Sequence, residues 1–457
     1  MSNEVLIILM FVALLAGLIG LGLHLGFWLG AIALVTGLVG WGGTDFLGIF
    51  PIRIWAIMHN YVLVAVPLFV FMGYMLERSG FAEDLFGGVE VMFGGFRGGM
   101  AIVTIAICTI LAATTGIVAT GVIMAGVLAL PSMMRRGYNR GLALGSIAAA
   151  GTLGILIPPS IMLVFYASQT GLSIGQLFLG AFGPGLLLST LFIGYVILMT
   201  TIKPHWAPKH GEVPEIDIPG LPKPPDAILA IKQSRHPRIR AFRGLFPVAV
   251  LLIAVLGSII LGLASPTEAS AAGAAGAILI AAAYRKLTFK AIKEASLNTV
   301  SMMGMFGAIT IGAMTFTAIF SGLGGRQMVY GMLMGLDMSP LGVLLVMLVI
   351  VIILGMFIDW VAILLILLPT LIPIQVAMGW DPLWFGMLIC VTLQTAWLTP
   401  PFGYSLFFLR GLNMPGVTMA DITKGCIPFI LLQATGVGIC IAFPPLVTWL
   451  PSLVWGR

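Results

Sequence analysis

The stretch Ala148-Ala-Ala-Gly-Thr-Leu-Gly-Ile-Leu-Ile-Pro-Pro-Ser-Ile-Met-Leu-Val-Phe-Tyr166 is apolar enough to lie inside a bilayer, yet its middle cannot remain helical. Pro158 and Pro159 remove two consecutive backbone donors and clash with the preceding turn. Gly151 and Gly154 lower helix propensity just before them. A second stretch, Gln394-Thr-Ala-Trp-Leu-Thr-Pro-Pro-Phe-Gly403, carries the same Pro-Pro pair 242 residues later, at Pro400 instead of Pro158. Unpaired backbone is costly in hydrocarbon and persists only where protein or a wet cavity lines it. Paired interruptions in two halves of a membrane protein point to a transporter's binding site.

Composition sets the class. The chain of 457 residues is 60% hydrophobic and 8% charged, against roughly 25% charged in soluble domains. A polytopic all-α membrane protein embedded in the lipid bilayer follows, and the alternation of a β-barrel is absent. No Lys or Arg precedes the apolar run Val5 to Leu23, so it is expected to be a first span rather than a secretory signal. Cys108, Cys390, Cys426 and Cys440 lie far apart in apolar segments, with neither metal nor disulfide spacing. The net charge of +6 reads as a topology signal, not a nucleic-acid surface.

Outward from the two breaks, the chain divides into similar halves. In residues 1–202, spans are expected at about 4–22, 25–42 and 55–76. Trp41 and Trp55 flank a short polar loop as interfacial aromatics do. An amphipathic arm over 77–98 follows. Residues 99–131 are apolar throughout; one helix of that length would reach about 50 Å, against a hydrocarbon core of about 30 Å. They are therefore expected to form a re-entrant hairpin with Thr114-Thr115-Gly116 at its tip. The broken helix 141–170 and a span at 176–202 complete this half. Residues 203–243 hold eight prolines and eight Lys or Arg against four acids, an extended solvated linker. Residues 244–457 repeat the plan: spans near 244–263, 268–284 and 297–321, a surface segment at 322–338, a hairpin over 339–373 centred on Gly355-Met-Phe-Ile-Asp359, a broken helix at 383–410 and a span near 425–448.

Each half then makes five crossings, so the halves must lie in opposite orientation, as an inverted repeat. With both hairpins re-entrant, 19 of the 22 Lys and Arg fall on one face, leaving Arg53, Arg326 and Arg457. With both hairpins spanning, the division is 17 to 5. The basic face is expected to be cytoplasmic, with both termini outside.

Seven motifs in order resemble one family. They are Val66-Pro-Leu-Phe69, Phe96-Arg-Gly-Gly99, Arg136-Gly-Tyr138, Ala149-Ala-Gly-Thr-Leu-Gly154 with Pro158-Pro-Ser160, Pro266-Thr-Glu-Ala269, Gly355-Met-Phe-Ile-Asp359 and Thr399-Pro-Pro401. They look like the large membrane subunit of TRAP (tripartite ATP-independent periplasmic) transporters. That resemblance implies sodium-driven uptake of small organic acids across the bacterial inner membrane by an elevator-like motion. It also implies two partners, a small four-helix membrane subunit and a periplasmic substrate-binding protein. The small subunit is expected to be a separate chain. Two places depart from the family pattern: the linker is longer, and the first tip reads Ala-Ala-Thr-Thr-Gly where a serine-rich tip is usual.

Sodium favours oxygen ligands, and half-helix C-termini with unwound carbonyls supply them. The residues matching the family's two ion sites are Thr115, Gly154, Ile157 and Pro159, then Gly355, Ala396 and Thr399. The competing reading is that Gly and Pro only kink the helices while Thr bonds its own helix. Asp359 is an intramembrane carboxylate, able to hold an ion or to shape the hairpin tip. Thr114, Trp360 and Trp397 are candidates for tip or cavity lining, with helix packing the better account of the two tryptophans. Ser160 could meet a substrate carboxylate, or simply cap the helix that follows. Ser265-Pro-Thr-Glu268 reads as a capping box rather than a carboxylate site. His24, His59, His205, His210 and His236 are scattered. No transition-metal motif, organic cofactor or nucleophile–base pair is present, so an intramembrane enzyme is disfavoured. A one-component ion- or proton-coupled anion carrier and a channel remain open at this point.

Overall fold

A computed structural model of the chain describes residues 2–18, 23–41, 43–93, 95–209, 212, 218–221 and 237–456. Among these, every regular element is helical. Seven helices are long and apolar enough to cross a membrane, and shorter apolar helices lie between them.

The expected long interruptions are all present. The first hairpin is Gly99–Thr115 followed by Val118–Leu128. It turns at Gly116, whose φ of +61° is a left-handed value that glycine adopts without penalty. The second hairpin is Pro340–Gly355 followed by Trp360–Ala377. The first broken helix runs Arg140–Thr152, a short 3-10 turn Leu153–Ile155, then Ile161–Thr170. The second runs Pro382–Leu398 and then Tyr404–Gly411. The peptide bonds Pro158–Pro159 and Pro400–Pro401 are both cis.

Some boundaries differ from the sequence expectation. The third span begins as a separate helix Ile49–Met58, turns through Tyr61–Val64 and continues as Ala65–Arg78. The division falls at Asn60, whose side chain accepts from the Val62 N–H and starts a new helical segment. The last span is Met419–Ala442, and a further helix Pro445–Trp455 follows it. Pro444 and Pro445, which cannot donate to the preceding turn, separate the two. Most of the linker 203–243 lies outside the described residues, as do His210 and His236.

Helix contacts sort into two groups. In one, Leu25–Gly40 packs along the long helix Phe289–Gly322, and Ala65–Arg78 packs along Pro266–Ala283. Ser265 and Glu268 form the expected reciprocal capping box at the start of the latter helix. In the other, the hairpins lie against the broken helices, and Arg140–Thr152 crosses Met419–Ala442. That crossing is nearly backbone to backbone: a Cβ on Gly145 would lie 2.1 Å from the Gly425 carbonyl oxygen. Arg78 and Glu294, 2.5 Å apart, tie the end of Ala65–Arg78 to the start of Phe289–Gly322.

The described part of the linker rests on the first hairpin's base. Arg97 bonds Glu212 at 3.0 Å, the Asn139 N–H donates to the Trp206 carbonyl at 2.7 Å, and Arg135 donates to the Leu221 carbonyl at 3.2 Å. The Lys209 backbone N–H, then Arg97, hold the Glu212 carboxyl below its ordinary value of 4.5. A depressed carboxyl pKa contributes stability above the unfolded value and loses it as pH falls through the folded value. Amide exchange at Lys209 is therefore expected to accelerate as pH is lowered below 4.5, after correction for intrinsic rates, and to be pH-independent in Glu212→Gln. Equal protection in both proteins at every pH would exclude the contact.

Candidate functional site

Each break is met by the tip of its own hairpin. Pro158 and Pro159 have no N–H, so the carbonyls of Gly154 and Ile155 lose the donors that helix continuation would supply. The Ser160 hydroxyl takes over at the Ile155 carbonyl and also accepts from the Leu163 N–H at 3.4 Å, capping Ile161–Thr170. The tip residues Gly116 and Ile117 lie between the two sides of this break. A Cβ on Gly116 would sit 3.0 Å from the Pro159 carbonyl oxygen, and one on Gly154 would sit 3.4 Å from the Ile117 carbonyl. The tip backbone thus reaches Gly154 and Pro159 together. Ile157 turns its side chain instead toward Gly185 of the helix Ile174–Ile202. The side chains of Thr114 and Thr115 lie outside the described residues.

The second break follows the same logic with different side chains. Pro400 and Pro401 withhold donors from Ala396 and Trp397. The Ala396 carbonyl accepts instead from the Thr399 N–H at 3.1 Å, and the Thr399 hydroxyl donates to the Thr395 carbonyl at 2.6 Å. Gly355, the last residue of the hairpin's outgoing helix, lies against Ala396: a Cβ there would be 2.4 Å from the Ala396 Cβ. Asp359 begins the return helix, its carboxylate accepting from the Val361 N–H at 3.0 Å. It therefore shapes the tip. Trp360 is buried edge-on to Phe165, with ring centroids 5.8 Å apart, and Trp397 lies 5.2 Å from the Tyr404 ring.

The Phe165–Trp360 contact belongs to a wider pattern. The helix Ile161–Thr170 packs on the return arm of the second hairpin, and Tyr404–Gly411 packs on the return arm of the first. Each break is thus bounded by its own tip and braced by the opposite hairpin. The breaks differ in exposure. Pro158, Pro159 and Ser160 are buried, whereas Thr399 and Pro400 are half-buried and Pro401 is exposed.

Between the breaks lies a polar junction that sequence reasoning did not single out. The Gln394 amide donates to the Thr152 carbonyl at 2.9 Å, and the Gln433 amide donates to the Thr152 hydroxyl at 3.0 Å. The hydroxyl in turn donates to the Ala149 carbonyl at 2.7 Å. All three residues are fully buried. Thr152 ends the first half of one broken helix, Gln394 lies on the other, and Gln433 lies on the last long span. One signal was available: two uncharged amides in otherwise apolar helices, each needing a partner when buried.

The arrangement offers carbonyls, hydroxyls and one carboxylate converging on interrupted helices. It suits a hard cation and holds no group of three or more metal-ligating side chains among the described residues. The four cysteines are free and buried. Interrupted helices met by hairpin tips inside a polytopic helical chain define a membrane transporter.

Over residues 10–446 the chain matches the family described as "Tripartite ATP-independent periplasmic transporter, DctM component", and it belongs to that family. It is 28% identical over 403 residues to the C4-dicarboxylate TRAP transporter large permease protein DctM of Pseudomonas aeruginosa, covering 88% of this chain and 87% of that protein. It is 31% identical over 402 residues to the ectoine/5-hydroxyectoine TRAP transporter large permease protein UehC of Ruegeria pomeroyi, covering 86% and 87%. The fold is similar to the crystal structure of the Alcanivorax borkumensis YdaH transporter, with a TM-score of 0.65 and 16% identity over 98% of this chain and all of that one. The chain is therefore a multi-pass transporter subunit of the inner membrane, not an enzyme. Family membership implies a substrate-binding protein and a small membrane subunit as its partners.

Proposed function

We propose that this chain is the large permease of a sodium-coupled importer of small organic acids. The observation that carries the reading is the pair of proline breaks, each with a hairpin tip packed beside a residue, Gly154 or Ala396, whose carbonyl has lost its helical donor. In the first, sodium is held by backbone oxygens of Gly154, Ile157 and Pro159 with Thr115 at the tip. In the second, it is held by Gly355, Ala396 and Thr399. Ser160, Asp359, Trp360, Trp397 and Thr114 shape the tips and the space between them, where the substrate rests. The two halves lie in opposite orientation, and the hairpins and broken helices travel together as an elevator past the remaining spans. A four-helix small subunit stiffens the scaffold, and a periplasmic binding protein delivers the substrate. The names of relatives, which specify C4-dicarboxylate and sialic acid, support an organic-acid substrate class. Sodium entering down its gradient supplies the work, about 2.3 kcal/mol per charge per 100 mV besides its concentration term.

The test needs no known substrate. Melting temperature is measured in sodium, potassium and choline chlorides at equal ionic strength. A site filled at 100 times its dissociation constant stabilises by about 2.7 kcal/mol. A sodium-specific rise, diminished in Thr399→Ala, is expected. Equal melting in sodium and choline at every concentration would remove sodium as the coupling ion and direct attention to protons.

A further inference from the structure

Two cavities follow one face of the long helix Phe289–Gly322, the first against Leu25–Gly40 and the second against Trp41 and the helix Ile49–Met58, and they differ in chemistry. The first, about 650 Å³, is lined by Gly304, Gly307, Ile311 and Thr315 on the long helix and by Phe27 and Leu34 opposite. The second, about 490 Å³, takes up the same face of the long helix at Ala318 and Ser321. Thr315 to Ala318 is an axial step of about 4.5 Å, so the second cavity continues the first. Its mouth carries Arg53 and Arg326 together with Trp41.

Both arginines are exposed, and neither has an ion pair or hydrogen bond among the described residues. Retention of positive charge on a cytoplasmic face does not account for them, because they are two of the three basic residues outside the basic segments. They come from positions 53 and 326 to one cavity, at the end of an apolar groove. Guanidinium groups match phosphate oxygens by paired, charge-assisted hydrogen bonds. Trp41 is the kind of side chain that sits at headgroup level.

We infer that this face binds an anionic phospholipid, with its phosphate on Arg53 and Arg326 and an acyl chain along Gly304, Gly307 and Ile311. An acidic protein loop would match the arginines but not the apolar groove. A transmembrane helix of the small subunit would match the groove but leave the arginines unanswered. A phospholipid matches both ends.

The groove also allows a clean perturbation. A Cβ on Gly307 meets nothing within 4 Å. Gly307→Leu should therefore fill the groove without disturbing the helix, and it raises helix propensity. The detergent-purified, delipidated chain, alone and with its small membrane subunit, is titrated with phosphatidylglycerol, phosphatidylcholine or inorganic phosphate. Melting temperature and native mass spectrometry are the readouts. Phosphatidylglycerol is expected to raise the melting temperature and leave a one-lipid adduct. Its half-saturating concentration should rise on the order of tenfold or more in Arg53→Gln/Arg326→Gln and also in Gly307→Leu. Lys290→Gln, which removes an exposed charge elsewhere, should bind as the unaltered protein does. An adduct equally strong in both groove variants would overturn the inference. So would an equal shift with inorganic phosphate alone, which marks a bare anion site. Loss of the lipid whenever the small subunit is present would assign the groove to that subunit instead.

Discussion

Gly355→Ala should reduce uptake by about 100-fold or more, although it adds one methyl group. The added Cβ would stand 2.4 Å from the Ala396 Cβ, with Ile363 and Leu393 beside it. Both atoms are fixed to backbone, so no rotamer change relieves the contact. The hairpin tip must retreat from the second break, and overpacking of this kind costs about 1–3 kcal/mol. The functional loss should exceed the stability loss, because a misplacement of about 1 Å in a positioned site can cost about 100-fold. Volume can be restored from the other side. Gly355→Ala combined with Ala396→Gly returns the tip to the break, and should recover at least tenfold of the lost uptake. The assay is substrate uptake into proteoliposomes holding both membrane subunits, with binding protein outside. Near-normal uptake by the single variant would show that the tip-to-break contact is dispensable. A double variant no better than the single would show that the damage lies elsewhere.

Gln394→Leu should destabilise the protein through a single lost hydrogen bond. The Thr152 carbonyl also opens the 3-10 turn Leu153–Ile155, so the Gln394 amide is a second donor to it, in a fully buried region that solvent does not reach. Losing one intramolecular hydrogen bond while the acceptor keeps another costs about 0.5–1.5 kcal/mol. Gln433→Leu removes the donor to the hydroxyl of the same threonine. Because both amides converge on Thr152, the two substitutions should be non-additive, with an interaction energy between about 0.5 and 3 kcal/mol. Thermal melts of the singles and the double give that number directly. Strict additivity would show that Thr152 does not join the two broken helices and the last span into one unit. The sodium dependence of melting adds a functional readout. If the junction keeps the Gly154 carbonyl in place, Gln394→Leu should weaken the sodium response as well as the baseline stability.

Much of this molecule was legible because its decisive features are local. Two prolines remove two donors wherever they stand, so the breaks at Pro158 and Pro400 needed no tertiary information. Apolar runs too long for one crossing and divided by Thr-Gly or by Gly-Met-Phe-Ile-Asp had to turn back. The Ser265–Glu268 capping box was likewise written within four residues, and the structure forms it as expected. Helix boundaries were less legible. The division of Ile49–Met58 from Ala65–Arg78, and the closing helix Pro445–Trp455, depend on small differences among uniformly apolar residues.

Tertiary structure alone decided which distant groups meet. Thr152 finds Gln394 and Gln433 across separations of 242 and 281 residues. Gly355 meets Ala396, the second half of each broken helix leans on the opposite hairpin, and Arg53 shares a cavity with Arg326. Hydropathy cannot specify such pairings, because in an apolar chain nearly every face can bury. The choice among faces is made by close packing at small residues and by the need of each buried amide, hydroxyl and carbonyl for a partner. Sequence thus determined where the helices must stop and turn, since backbone donors are lost residue by residue. The folded chain determined what those interruptions face, since that follows only from the packing of all the helices at once.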